Sequence, residues 1–167
     1  MNRALQVIPN KIDKSILILP DHPCFSLIWL HGLGDSSAGF LEYFQLPQSP
    51  AFRGARVNLL NAPTRKVTIN GGAKCNSWYD IRSLGATGSD EDRFSLQEVN
   101  DSLAIIDNKV KAEIAYWKEN GIKDSDEQIC KRIFIGGFSQ GCAMSLTYGL
   151  TSDRKLGGVI AFSGHLF

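Results

Sequence analysis

Five residues carry the clearest chemical signal in this sequence: Gly137-Phe138-Ser139-Gln140-Gly141, a G-x-S-x-G. An apolar segment, Arg132–Ile135, precedes them, and a small-residue helix start, Gly141-Cys142-Ala143, follows. A serine on a tight strand-to-helix turn sits in a strained backbone, and glycines on either side remove the clashes that side chains would make there. Such a turn lifts the hydroxyl to the C-terminal end of a sheet. The helix N-terminus then points free N–H groups and its positive dipole end at the same spot, as an oxyanion requires. The chemistry suggested is nucleophilic attack by Ser139. The plainer alternative is a serine that only caps its helix.

Two other readings of the turn fail. Gly136 and Gly141 have the spacing of a phosphate-binding loop, but Cys142-Ala143 stand where Lys and Ser or Thr are needed. A dinucleotide fingerprint needs G-x-G-x-x-G, and Gly136 and Gly137 are adjacent. A second glycine-containing stretch, His31-Gly32-Leu33-Gly34-Asp35-Ser36, follows the apolar run Phe25–Leu30. Glycines directly after a buried strand let backbone N–H groups face a ligand. His31 reads as a packing residue with a backbone hydrogen bond.

These segments need a scaffold. Ser15–Leu19 reads as an edge strand stopped by Pro20, Phe25–Leu30 as a strand covered on both faces, and Arg56–Leu60 as a third. A short helix is expected across Ala38–Phe44. Thr64–Arg93 is a long irregular section holding Ile69-Asn70-Gly71-Gly72 and Trp78-Tyr79-Asp80; such loops are commonly functional. Gly85–Asp92 is expected to be a polar surface loop. Ser95-Leu96-Gln97-Glu98 has the pattern of a capping box. The helix it opens carries Leu96, Val99, Leu103, Ile106, Val110, Ile114 and Trp117 as one apolar stripe and stops at Gly121. A helix from Gln140 to about Ser152 and a last strand, Gly158–Ser163, complete the order. Helices between apolar strands predict an α/β fold, a mostly parallel sheet with helices on both faces, whose ligands bind at the strands' C-terminal ends.

Bulk properties narrow the function. The 167 residues suffice for one domain, 1–167, with a real core. A formal net charge of +1 gives no argument for nucleic acid or an anionic membrane. Four scattered cysteines, Cys24, Cys75, Cys130 and Cys142, form no C-x-x-C and read as reduced thiols of a cytoplasmic protein. His22-Pro23-Cys24 reads as a surface loop, so no metal is expected. Ile16–Leu19 is too short for a membrane span or signal segment.

Taken together, LIWLHGLGDSSAGF (27–40), NAPTRKVTINGGAKCNSWYDI (61–81), FIGGFSQGCAMSLTYGL (134–150) and GGVIAFSGHL (157–166) resemble the acyl-protein thioesterase / lysophospholipase-like carboxylesterases of the α/β-hydrolase fold. The resemblance implies Ser139 as nucleophile and an oxyanion hole built from the backbone N–H groups of Leu33 and Gln140. It implies hydrolysis of thioesters or esters of long acyl chains, on acylated proteins or lysophospholipids. Contact with a membrane would be transient at most, and no metal or cofactor is implied. Trp78 and the loop Ser83–Phe94 would line the acyl groove, and Gly32 and His165 would border the substrate.

One departure stands out. This fold supplies its triad in the order Ser, then Asp or Glu, then His, and after Ser139 the sequence offers only Asp153 and His165. A helix leaving Ser139 for about 12 residues carries Asp153 roughly 18 Å away. His165 matches a pocket-lining position of the family rather than its catalytic histidine. The family's later strands are therefore expected to be missing. That leaves three readings: a shortened serine hydrolase, a non-catalytic relative that binds acyl chains, or a fragment. It also leaves Gly158–Ser163 as an edge open to self-association.

Overall fold

A computed structural model describes residues 5–45, 52, 54–85 and 88–166. Its centre is a six-stranded sheet in the order β1-β2-β4-β3-β7-β8. The strands are β1 (Leu5–Pro9), β2 (Ile16–Pro20), β3 (Phe25–Leu30), β4 (Ala55–Leu60), β7 (Ile133–Phe138) and β8 (Gly158–Phe162). β5 (Thr64–Val67) and β6 (Ala73–Asn76) form a separate antiparallel hairpin. β4, β3, β7 and β8 run parallel, whereas β2 meets β4 and β1 meets β2 antiparallel. The mostly parallel α/β sheet is thus as expected, with one revision: β2 is not the edge, because Leu5–Pro9 pairs outside it.

Alternation along β3 splits the core in two. Ile28 and Leu30 face one layer, with Ile133 and Ile135 of β7. There the helices α3 (Leu96–Glu119) and α5 (Gln140–Thr151) cover the sheet through Val99, Ile106, Val110, Trp117, Ala143 and Met144. Leu27 and Trp29 face the other layer, with Val57 and Leu59 of β4. That side is covered by a 3₁₀ turn, Ser37–Phe40, and the short α1 (Leu41–Gln45), through Phe40, Leu41 and Phe44. Helical cover therefore lies on both faces, but unequally.

α3 is fastened to the sheet by a buried polar cluster. Glu113, 1% exposed, accepts from Ser26 Oγ at 2.6 Å and from Arg56 Nε at 2.9 Å, while Trp117 Nε1 donates to Ser26 Oγ at 2.9 Å. At the start of α3, Ser95 caps as expected, but Glu98 does not close the box. Its carboxylate accepts instead from the Asp80 N–H at 2.6 Å and pairs with Arg65 at 3.1 Å. The irregular section is tied to α3 in this way. It also contains more regular structure than its sequence suggested: the β5–β6 hairpin and α2 (Asp90–Arg93), capped by Ser89. Of the expected loop Gly85–Asp92, residues 86 and 87 lie outside the described residues. α4 (Asp126–Cys130), opened by a Ser125/Gln128 capping box, precedes β7.

Candidate active site

Ser139 stands at the joint of β7 and α5 with φ 52° and ψ −115°. That positive φ is strained for a residue with a side chain, and the surroundings hold it. The Ser139 N–H donates to the Phe162 carbonyl of β8 at 2.9 Å, and the Ala143 N–H donates to the Ser139 carbonyl at 3.1 Å. A Cβ on Gly137 would collide with the Gly141 backbone and lie 2.7 Å from the Leu30 carbonyl oxygen; one on Gly141 would collide with that same carbonyl. Both glycines are therefore required by backbone, not by preference. The Ser139 side chain makes no capping bond to α5, so the helix-cap alternative is not realised. Ser139 sits half-exposed at the N-terminus of a twelve-residue helix.

The β3–β7 register, with Leu30 opposite Gly137, sets the end of β3 beside this turn. There the His31–Leu33 loop packs on the elbow: a Cβ on Gly32 would lie 3.4 Å from Ser139 Cβ and 3.1 Å from the Phe138 ring. His31 is 1% exposed and uses both ring nitrogens. Nδ1 bonds the Gly32 carbonyl at 2.7 Å, and Nε2 accepts the Ala62 N–H at 3.0 Å. A carbonyl on one side and an N–H on the other leave one neutral tautomer, with the proton on Nδ1. Burial holds the His31 pKa below its ordinary value, against the opposing pull of its Gly32 bond and of Asp35. The Gly32 carbonyl and the Leu33 N–H belong to one planar peptide, so His31 fixes the direction of the Leu33 N–H. Further along, the Gly34 N–H donates to the Asn76 carbonyl at 2.8 Å, and Asn76 Nδ2 donates to the Asp35 carbonyl at 2.9 Å. Asp35 turns its carboxylate onto the Ser36 N–H at 2.7 Å, inside its own loop.

Trp78 is placed differently from the groove wall anticipated for it. It is 0% exposed. Its indole N–H donates to the His31 carbonyl at 2.9 Å, and its backbone carbonyl accepts from Ser102 Oγ of α3. It is a post between loops, because an indole buried under two layers needs a partner for its N–H. His165 lies beyond the end of β8, exposed, with its ring stacked on Phe94 at 5.1 Å and 23°. Phe94 in turn pairs with Ile81 and packs edge-on against Tyr79, so the Ser83–Phe94 segment and His165 meet. Asp153 lines a hollow of about 700 Å³ with Asp107, Cys130 and Arg154, past the far end of α5. Among the described residues, no hydrogen bond joins the Ser139 hydroxyl to a histidine or carboxylate, and no three of His, Cys, Asp and Glu are grouped to hold a metal ion.

The sequence reading missed the Gln140 side chain. It is 3% exposed, and each end of its amide is bonded: Oε1 accepts the Trp78 N–H at 2.8 Å and Nε2 donates to the Tyr79 carbonyl at 2.7 Å. The available signal was a long polar side chain at the first turn of a helix that must be buried, which obliges it to find partners.

The profile of a family described as Phospholipase/Carboxylesterase matches residues 20–167. An acyl-protein thioesterase 1 homolog of Dictyostelium discoideum is 44% identical over 143 residues, covering 84% of this chain and 57% of the relative. Acyl-protein thioesterase 1 of Mycosarcoma maydis is 41% identical over 156 residues, covering 90% and 62%. The chain thus spans about three-fifths of these relatives' length. Among solved structures, Arabidopsis thaliana SOBER1 is similar at a TM-score of 0.61 and 29% identity, with 84% of this chain and 61% of that one covered. Zea mays acyl-protein thioesterase 2, at 23% identity, a TM-score of 0.65 and coverages of 98% and 63%, shares the fold.

Proposed function

The chain belongs to the phospholipase/carboxylesterase family of α/β-hydrolases, and from that membership we propose that it is a serine hydrolase acting on thioester or ester bonds of long acyl chains. Ser139 is its nucleophile. The observation that carries this reading is the strained, half-exposed Ser139 at the N-terminus of α5, with the Gly32–Leu33 peptide packed against it.

The steps follow from the groups present. Ser139 Oγ attacks the acyl carbonyl, and the oxygen of the tetrahedral adduct gathers negative charge. The Gln140 N–H, at the helix N-terminus, and the Leu33 N–H stabilise that charge, and each donor in such a hole is worth about 100- to 1,000-fold in rate. Collapse expels the thiol or alcohol and leaves an acyl-serine, which water hydrolyses. The attack needs a base for the hydroxyl proton, and among the described residues no hydrogen bond joins the Ser139 hydroxyl to a histidine or carboxylate.

Acylated proteins are the proposed substrates, supported by the relatives' names; lysophospholipids are the other acyl carriers to test. No helix of the described residues is long and apolar enough to cross a membrane. Free thiols at Cys24, Cys75, Cys130 and Cys142 support a cytoplasmic location. The test is a panel of palmitoyl and acetyl thioester peptides with lysophosphatidylcholine, product release being followed by mass spectrometry. Release from the palmitoyl thioester that exceeds release from the acetyl one and vanishes in Ser139→Ala is expected. Equal release by the Ser139→Ala variant would overturn the reading.

A further inference from the structure

The two donors of the proposed oxyanion hole come from segments more than a hundred residues apart, and one short stretch, Ser77–Tyr79, bonds to both. On the nucleophile side, the Gln140 amide accepts from the Trp78 N–H and donates to the Tyr79 carbonyl, with a further contact to Ser77 Oγ at 3.1 Å. Reversing that amide would set N–H against N–H and oxygen against oxygen, so its orientation is unique. On the other side, the Trp78 indole N–H holds the His31 carbonyl, and its ring packs on the His31 imidazole at 5.4 Å. His31 then directs the Gly32–Leu33 peptide through its Nδ1. The Ser77 N–H, donating to the Pro63 carbonyl at 3.0 Å, ties the stretch to the same loop whose Ala62 N–H anchors His31 Nε2.

We infer that the side chains of Gln140 and Trp78 are positioning residues that lock the Gln140 and Leu33 amides into one oxyanion-binding unit, so that neither donor is placed independently of the other. This rests on the assignment of those amides in the proposed function. Ser77, Trp78, Gln140 and His31 are all buried, and the polar side-chain groups they contribute to the relay are hydrogen-bonded. A break on one side therefore propagates, because a freed buried group must move or lose its partner. The device acts on the tetrahedral adduct, where donor placement matters, and not on the resting ligand.

The test uses the full chain and two ligands with the same alkyl tail. Octylboronic acid gives a tetrahedral boron on a serine oxygen, read by boron NMR, whereas octanamide forms no adduct. In Gln140→Met and in Trp78→Phe, which keep shape and lose the bonds, boronate affinity falls about 10- to 100-fold, the scale of a small misplacement of catalytic groups, and octanamide affinity is unchanged. The double variant loses less than the sum of the two in logarithmic terms. The Leu33 amide, to which the Gln140 side chain makes none of its described hydrogen bonds, shifts its resonance in Gln140→Met. If one variant fails to fold, the other and the Leu33 resonance carry the test. Unchanged boronate affinity in a folded variant, parallel loss of both ligands, or strict additivity overturns the inference. An adduct that survives in Ser139→Ala, or none in the parent chain, overturns the assignment of Ser139 itself and this inference with it.

Discussion

At Gly137, Gly141 and Gly71 the cause of a glycine differs, and the difference is measurable. Gly141→Ala would drive a methyl into the Leu30 carbonyl, which cannot yield without breaking the β3–β7 ladder. Gly71, at φ 65°, has open space around it. A thermal melt should show Gly141→Ala destabilised by about 2–4 kcal/mol, the upper range for backbone-limited overpacking, and Gly71→Ala by about 1 kcal/mol. His31 gives a pH prediction. Its folded pKa lies below the unfolded 6.5, so the unfolded chain binds the proton more readily. The contribution to stability is present above about pH 6.5 and is lost as pH falls towards the folded value. His165 is lowered as well, by desolvation and then by Arg93, so it adds to the same slope. Stability measured between pH 7.5 and 5.5 should therefore fall less in His31→Gln than in the parent. An equal slope in both would mean that the Ala62 N–H bond to Nε2 is not what protonation breaks.

Among the elements, α3 depends on a charge it has buried. Among the described residues, Arg56→Met leaves the buried Glu113 carboxylate with the Ser26 hydroxyl as its remaining hydrogen-bond partner. Removing one partner of such a pair should cost about 3–5 kcal/mol, and adding Glu113→Gln should recover a large part of it, as denaturant titration would show. Elements with strong periodicity are legible in the sequence: β3, β4, α3, the elbow and β8 lie within a few residues of their expected bounds. The rest was hidden for physical reasons. β1 is exposed along its whole length, so no burial pattern marks it. β5 and β6 are four residues each and largely polar, so no apolar alternation marks them in the section read as irregular. Trp78 carries the contrary lesson. The family resemblance implies a groove wall at Trp78, yet the side chain is buried and spends its indole N–H on the His31 carbonyl. The sequence marks the turn that holds the proposed nucleophile; the Gln140–Trp78 relay appears only where three loops come together.

For the whole molecule, the order of strands leaves β8 outermost, with β7 on one side and no described strand on the other. Val159 is 38% exposed and Phe162 52%, on a strand without charge or proline to block another chain. Sedimentation should therefore show association that rises with concentration. Ala161→Lys, which puts a charge on that edge, should shift the equilibrium towards monomer; indifference to this change would mean that contacts elsewhere cause the association. The central claim concerns Ser139, and covalent capture tests it most directly. A long-chain alkyl fluorophosphonate should phosphonylate the folded chain with loss of fluoride, and peptide mapping should find the adduct on Ser139 and none in Ser139→Ala. Labelling that persists in Ser139→Ala, or that maps to another residue of the parent chain, would contradict the assignment of this turn as the reactive centre.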